Sequence, residues 1–263
     1  MRYSIITINY NNKEGLKRTI ESVVRQTFND YEFIIIDGGS TDGSVEVIDK
    51  YAKRIDYWIS EKDNGIYHAM NKGIAKAQGD YCIFMNSGDC FYSHYILNTV
   101  STKENNEDIF VGNVISEDGT ILSRQPNREI SLYHLYSGAI PHQGAFIKTC
   151  LLKKTPYDES LKITADWKFL LEKIILENCS VAFINDIIAI YDTNGISSTN
   201  QSQMRKEKEK VLSEIFPNRI LLDYVHMKQS ECLTQLLTPK LRKHYQIDRF
   251  LYRIGRLLLF FMK

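Results

Sequence analysis

Four short apolar runs, Tyr3–Ile8, Phe33–Ile36, Ile55–Ile59 and Tyr81–Met85, each lead into a polar or glycine-bearing loop. The loops are Asn9–Asn12, Asp37–Gly43, Lys62–Gly65 and Asn86–Asp89. Between the runs, apolar residues recur at helical spacing: Leu16, Ile20, Val23 and Val24 before Gln26, then Val45, Ile48 and Tyr51 or Ala52, then a stretch over Ile66–Ala77. Phe33-Ile34-Ile35-Ile36 is continuously apolar, as expected of a strand buried on both faces. Alternating strand, loop and helix predicts a parallel sheet covered by helices. Ligands of such sheets bind at the carboxyl ends of the strands, where all four loops fall.

Beyond Asp89 the pattern loosens. Ile109–Ile115 and Thr120–Ser123 predict a hairpin around Glu117-Asp118-Gly119, and Gln143–Ile147 a further strand. Trp167, Leu170, Leu171, Ile174 and Ile175 predict an amphipathic helix, followed by two strands near Val181–Ile184 and Ile187–Tyr191. Asn194–Ser202 reads as a polar loop and the remainder as basic helix. Apolar content of 43% and charged content of 25% suit a soluble protein. The five cysteines, Cys82, Cys90, Cys150, Cys179 and Cys232, are scattered and form no C-x-x-C pair, which argues against a disulfide framework or a zinc ribbon. The start carries no secretory h-region and no run is long enough to span a bilayer, so a cytoplasmic place is expected. The net charge of +1 hides a split: residues 201–263 hold 13 Lys and Arg against 6 Asp and Glu, whereas residues 1–200 are mildly acidic. An anionic partner for the tail follows.

Several segments, in order, resemble family 2 of the inverting glycosyltransferases, which have the GT-A fold. Ile5-Ile6-Thr7-Ile8-Asn9-Tyr10-Asn11 is similar to that family's first strand and nucleotide loop. Gln26-Thr27-Phe28, then Asp37-Gly38-Gly39-Ser40-Thr41-Asp42-Gly43, resembles its Q-T-x…D-x-x-S-x-D-G stretch. Asp63-Asn64-Gly65-Ile66-Tyr67 with Ala69-Met70-Asn71-Lys72-Gly73 looks like its next helix entry. Asn86-Ser87-Gly88-Asp89 stands where the family places a metal-binding D-x-D, and Ala165-Asp166-Trp167 where it places the catalytic base. The resemblance covers about residues 3–200. It implies an α/β GT-A fold with a mostly parallel central sheet, divided into a nucleotide-binding half over 1–90 and an acceptor and catalytic half over 91–200. A basic helical extension over 201–263 would complete the chain.

The resemblance also implies roles. Thr7, Tyr10, Asn11, Asp37, Gly38, Asp63, Asn71 and Asn86 would bind a nucleotide-diphospho-sugar, with the Tyr10 ring stacked on the base. A flat π-face gives contact area to a base, although a tyrosine can equally just pack. Asp37 could accept from a uracil N–H or hold an Asx-type turn, with Asp42 a helix cap. Asp63 could meet the base or cap its helix. Met70 stands where many relatives carry an arginine. Asp89 would be the sole carboxylate on a divalent cation, Mn²⁺ or Mg²⁺, because such ions prefer hard oxygen ligands. Asn86 would steer the ribose, and a plain turn is the competing reading of that segment. Asp166 would take the acceptor's proton unless it merely caps its helix. His142, Gln143 and Trp167 are candidate donor or acceptor contacts.

The expected activity is therefore inverting, metal-dependent transfer from a nucleotide-diphospho-sugar, UDP foremost, to a saccharide or lipid-linked saccharide. The acceptor class is that of surface-polysaccharide synthesis. The rival is a non-catalytic nucleotide-sugar or glycan-binding module. Arg249, Arg253 and Arg256 fall on one helical face, which would suit an anionic membrane surface on the inner face of the plasma membrane, or a helix docked on the protein itself. No nucleic-acid partner is expected.

Overall fold

The computed structural model describes residues 1–103, 106–123, 129–193, 195 and 200–229. The arginine face expected at 249–256 and most of the 194–202 loop lie outside these. The chain divides into two compact units, Met1–Val211 and Leu212–Lys263. In the second unit, residues 218–229 are helical. No described helix is long and apolar enough to cross a membrane.

The first unit opens with β1 (Tyr3–Asn9), α1 (Lys13–Val24), β2 (Tyr31–Asp37), α2 (Ser44–Tyr51), β3 (Tyr57–Ser60), α3 (Ile66–Lys76) and β4 (Tyr81–Phe84). It continues with β5 (Cys90–Phe91), α4 (Ile96–Lys103), β6 (Ile109–Ser116), β7 (Ile121–Ser123), α5 (Leu132–Ser137), β8 (Ala145–Lys148) and α6 (Thr149–Lys154). Last come α7 (Ala165–Leu171), β9 (Val181–Tyr191) and the first eleven residues of α8 (Gln201–Ile215). Among the described residues one nine-stranded sheet forms, in the order β3-β2-β1-β4-β8-β6-β9-β5, with β7 beside β6. β1 to β4 are mutually parallel. β8 runs against both β4 and β6, so β6 and its parallel neighbour β9 share the direction of β1 to β4. The sheet is thus mostly parallel, as expected.

Tyr3–Asn9 is buried along its whole length, which fits a central strand covered on both faces. Helix α1 buries Leu16, Ile20 and Val23 at the spacing read from the sequence. Its N-cap is Asn12, whose side chain accepts from Gly15 N. Helix α3 approaches the sheet at Gly73, where a Cβ would overlap Ile6 Cγ2, so only glycine allows that contact.

Three features differ from the expected elements. The two strands expected near 181–191 are one strand, β9, whose register against β6 shifts twice around Asn113. Such bulges break the alternation that a sequence reader relies on. The helix expected over 167–176 ends as α at Leu171 and continues as a π turn over Glu172–Leu176. A short 3-10 turn, His142–Gly144, precedes β8 where strand was expected to begin at Gln143.

Candidate active site

The carboxyl ends of β1, β2 and β4 open into a cavity of about 1140 Å³. Tyr10, Gly38, Asp63, Asn86, Asp89, His142, Gln143, Asp166 and Trp167 all line it. Thr7, Asn11, Asp37 and Asn71 are not among its lining residues, and each has protein partners. The Thr7 hydroxyl donates to Met85 O (2.6 Å) and ties β1 to β4. Asn11, with φ of 47°, receives Thr41 N on its side-chain oxygen (2.9 Å).

Asp37 is wholly buried and its carboxylate is saturated. Oδ1 accepts from Asn9 Nδ2 (2.7 Å) and Ser40 Oγ (2.6 Å). Oδ2 accepts from Gly39 N (3.2 Å), Ser40 N (2.9 Å) and Ser60 Oγ (2.6 Å). Burial alone would raise its pKa, but these donors outweigh it and hold the carboxyl below the usual range. With five donors on a group that offers about four lone-pair sites, Asp37 is left no acceptor capacity for a base. Asn71 is likewise engaged: its Nδ2 donates to Tyr157 O (2.9 Å) and its Oδ1 accepts from Tyr157 N (2.9 Å), so it pins α3 to the loop after α6. Asp42 stands one residue before Gly43, the N-cap position of α2, and accepts from Ser44 N (3.0 Å) and Lys13 N (2.8 Å), so it joins the starts of α2 and α1.

Asp63 is different. Its Oδ1 pairs with Lys72 Nζ (2.6 Å) and His68 Nδ1 (3.0 Å), while its Oδ2 is buried with no hydrogen-bond partner. That oxygen borders Gly38, whose missing Cβ would also touch the Tyr10 ring. The Tyr10 side chain is 68% exposed, an open aromatic face beside an unmet acceptor. Lys72, paired with Asp63 and with Glu61 Oε1 (2.6 Å), is held beneath this corner.

The Asn86–Asp89 loop is fixed by Thr19, whose hydroxyl donates to Asp89 O (2.7 Å) and accepts from Gly88 N (3.0 Å). Asp89 is buried. Its Oδ2 accepts from Gln143 Nε2 (3.0 Å) and its Oδ1 from Asp192 N (3.0 Å). Desolvation outweighs these donors and the nearby His142, and pushes the carboxyl up to about 6. An anion so poorly compensated is one that a cation would stabilise. Beside it, Asn86 Oδ1 is buried without a hydrogen-bond partner. Among the described residues no three His, Cys, Asp or Glu side chains surround one point. These residues therefore suit a hard divalent ion that takes most of its oxygens from a ligand.

The Asp166 carboxylate is shared three ways. Oδ1 accepts from Tyr67 OH (2.9 Å) and Trp167 N (2.9 Å), and Oδ2 faces His142 Nδ1 (3.0 Å). Burial would raise its pKa, but the bonds from His142, Tyr67 and Trp167 keep it below the ordinary value. Burial would lower His142, but the Asp166 carboxylate more than compensates and raises it. His142 Nε2 in turn meets Asn86 Nδ2 (3.1 Å), which links the Asp166–His142 pair to the Asn86–Asp89 loop. Thr164 is the N-cap residue of α7, so Asp166 sits inside that helix rather than capping it.

Sequence reasoning passed over several groups. Tyr67 lies in a quoted motif without a role, and nothing local to Asp192, just after β9, shows that its N–H meets Asp89, 103 residues away in the chain. Thr19 sits on a helix face that reads as packing. Glu207 and Lys208 lie in the charge-dense run Arg205–Lys210, which offers no local signal.

The family model of glycosyl transferase family 2 matches residues 4–160. An uncharacterized glycosyltransferase of Mycobacterium tuberculosis is 34% identical over 203 residues, 74% of this chain and 76% of that protein. S. aureus TarS 1-349 in complex with UDP-GlcNAc superposes with a TM-score of 0.60 at 19% identity, over 73% of this chain and 58% of that one. Glucosyl-3-phosphoglycerate synthase from Mycobacterium tuberculosis, in complex with Mn²⁺, UDP and glucosyl-3-phosphoglycerate, superposes with a TM-score of 0.57 at 13% identity, over 81% and 79%. At such identities the structural likeness is one of fold.

Proposed function

The chain belongs to glycosyl transferase family 2 with its GT-A fold, and from that premise we propose that it moves a sugar from UDP, with inversion, onto a hydroxyl of a saccharide or lipid-linked saccharide. The observation that carries this reading is the continuous line Asp89, Asn86, His142, Asp166 in one cavity. It supports a diphosphate site beside a proton-accepting pair.

On this reading the uracil stacks on Tyr10 and its imide N–H donates to Asp63 Oδ2, the buried acceptor without a partner. Asp37, Asn11 and Thr7 act behind the site as the frame of its loops. Asn86 orients the ribose through its amide. Asp89, helped by the diphosphate's own oxygens, would hold Mn²⁺ or Mg²⁺, which when bound neutralises charge on the departing UDP. The acceptor hydroxyl attacks the anomeric carbon from the face opposite the leaving phosphate. As the new C–O bond forms and the C–O bond to UDP breaks, the hydroxyl proton passes to the Asp166–His142 pair. Trp167, buried at 3% exposure beside Asp166, walls the acceptor side. The UDP-GlcNAc and UDP ligands of the fold relatives support the choice of nucleotide. A polysaccharide-building acceptor at the inner face of the membrane is the partner that the basic stretch 201–263 would suit.

Thermal unfolding with UDP, GDP or dTDP, each with and without Mn²⁺, tests the donor. UDP at about a hundred times its dissociation constant adds roughly 2.7 kcal/mol, a rise of about 5–10 °C for a chain of this size. The metal-dependent increment should disappear in Asp89→Ala, and slow UDP-GlcNAc hydrolysis with Mn²⁺ should disappear in Asp166→Asn. No shift with any nucleotide would sink the donor assignment. Binding without turnover would return the non-catalytic reading.

A further inference from the structure

Helix α8 lies beyond the family match, yet two adjacent residues on it hold the segments that carry His142 and Asp166. Glu207 is buried, and its carboxylate gathers the main chain just before α7. Oε1 accepts from Lys162 N (3.0 Å), and Oε2 accepts from Ile163 N (3.0 Å), Thr164 N (3.2 Å) and Thr164 Oγ1 (3.0 Å). Three successive N–H groups ahead of a helix need acceptors, and those of Ile163 and Thr164 are buried, so one carboxylate fixes all three. Gln203, one turn earlier on α8, donates to Oε1 (3.0 Å) and holds the carboxylate in turn. Asp166 follows the gripped Thr164 by two residues, with no slack between them.

Lys208 reaches the other segment. Its ammonium donates to Gly138 O (2.7 Å), the residue that ends α5 and leads through buried Ile140 and Pro141 to His142. The same ammonium stands 4.7 Å over the Trp167 ring, and Trp167 Nε1 donates back to Leu135 O of α5 (2.9 Å). One turn of α8 thus spans the two chain segments whose side chains meet at His142 and Asp166.

We propose that Glu207 and Lys208 are positioning residues that set the His142–Asp166 contact from α8. Their loss would then slow turnover without weakening the donor. This rests on the reading of Asp166 and His142 as the proton-accepting pair. The argument from magnitude is that a base displaced by about 1 Å loses on the order of a hundredfold in rate. The nucleotide corner at Tyr10 and Asp63 is built on the ends of β1, β2 and β3, away from the Lys162–Thr164 and Gly138 main chain that Glu207 and Lys208 clasp.

The test uses the full chain and the variants Glu207→Ala, Glu207→Gln and Lys208→Met. UDP affinity with Mn²⁺ is read by calorimetry, turnover by UDP-GlcNAc hydrolysis, and the His142 Nδ1–H by proton NMR, assigned by its loss in His142→Gln. Glu207→Ala should keep UDP affinity within about twofold, lower kcat by about 10–100-fold and shift or broaden the His142 signal. Glu207→Gln, which keeps one acceptor oxygen, should fall between it and the parent. Lys208→Met removes the tie to Gly138 and the charge over Trp167 while leaving Glu207 in place, and serves should Glu207→Ala fail to fold. The idea is overturned if kcat and UDP affinity fall in parallel, or if the His142 signal stays where it is in both Ala and Met variants. Should the parent bind no UDP, the donor reading fails on its own, and the His142 signal alone decides the clasp.

Discussion

His142 Nδ1 lies 3.0 Å from Asp166 Oδ2, and this contact decides which proton the pair can take. An ionised carboxylate only accepts, so Nδ1 carries the hydrogen. The other ring nitrogen accepts from the Asn86 amide, which holds only while the ring is neutral. The carboxylate favours the imidazolium and raises His142 above its ordinary value. Turnover should therefore fall on the acid side with a midpoint above about 6.5. Because the pair titrates together, that midpoint belongs to both groups. Asp166→Asn should lower kcat by about 10²–10⁴-fold and move the His142 titration, followed by NMR, to lower pH. An unmoved titration in Asp166→Asn would show that the two groups are not coupled.

Two aspartates at neighbouring strand ends should behave in opposite ways. Asp37 accepts five hydrogen bonds from within the protein, so Asp37→Ala strands several buried donors and should cost about 3–5 kcal/mol in urea unfolding. Asp63 leaves Oδ2 without a partner while Oδ1 holds Lys72, so Asp63→Asn, which keeps the Oδ1 acceptor, should cost less stability than Asp37→Ala and weaken UDP by about 10-fold or more, with Mn²⁺ affinity for the complex changed only in parallel. Equal losses of UDP affinity in Asp37→Asn and Asp63→Asn would defeat this division of roles.

This pair also shows how far the sequence could be read. The apolar runs placed β1, β2 and β4, and the loops after them all reach the cavity, because a doubly covered strand declares itself by composition alone. What a loop carboxylate faces is set by partners distant in the chain. Ser60 is 23 residues from Asp37, and Tyr157 is 86 from Asn71, so local spacing could not separate frame from contact. His142 reads as one histidine among six, and its link to Asp166 exists only once β8 and α7 are packed. Bulges hid the unity of β9, and Asp192 meets Asp89 across 103 residues of chain, a pairing that no local pattern shows.

Gly88 should tolerate no side chain. Its φ is 109°, in the region that favours glycine, and a Cβ would overlap Asp192 Oδ2 and crowd the Asp192 Cβ. Asp192 cannot retreat freely, since its N–H donates to Asp89 Oδ1 (3.0 Å). Gly88→Ala should cost about 1–3 kcal/mol and weaken the Mn²⁺-dependent part of UDP binding more than the metal-independent part. Calorimetry of UDP with and without Mn²⁺ would separate the two. A uniform loss would place the strain elsewhere.

The loop that leads into α7 is braced by a surface pair whose effect depends on acid. Asp158 Oδ2 accepts from Lys168 Nζ (2.7 Å), and its Oδ1 accepts from Ser160 N (3.0 Å) and Ser160 Oγ (2.6 Å). Lys168 first, then Ser160, draws the Asp158 carboxyl down to about 2. A folded value below the unfolded one stabilises the protein above pH of about 4, and that stability is lost as pH falls through about 2. Asp158 is 34% exposed, so solvent screening reduces the effect to about 1 kcal/mol. Asp158→Asn should accordingly be less stable than the parent by about 1 kcal/mol at pH 7, with the gap unchanged at pH 5 and narrowing by pH 3 in urea titrations. In a Lys168→Met background the same substitution should cost less, because the first of its partners is already gone. Kinetics should register it too, since this loop carries both the Asn71 anchor at Tyr157 and the segment gripped by Glu207. A gap that widens on acidification would reverse the sign and remove the pair as a brace.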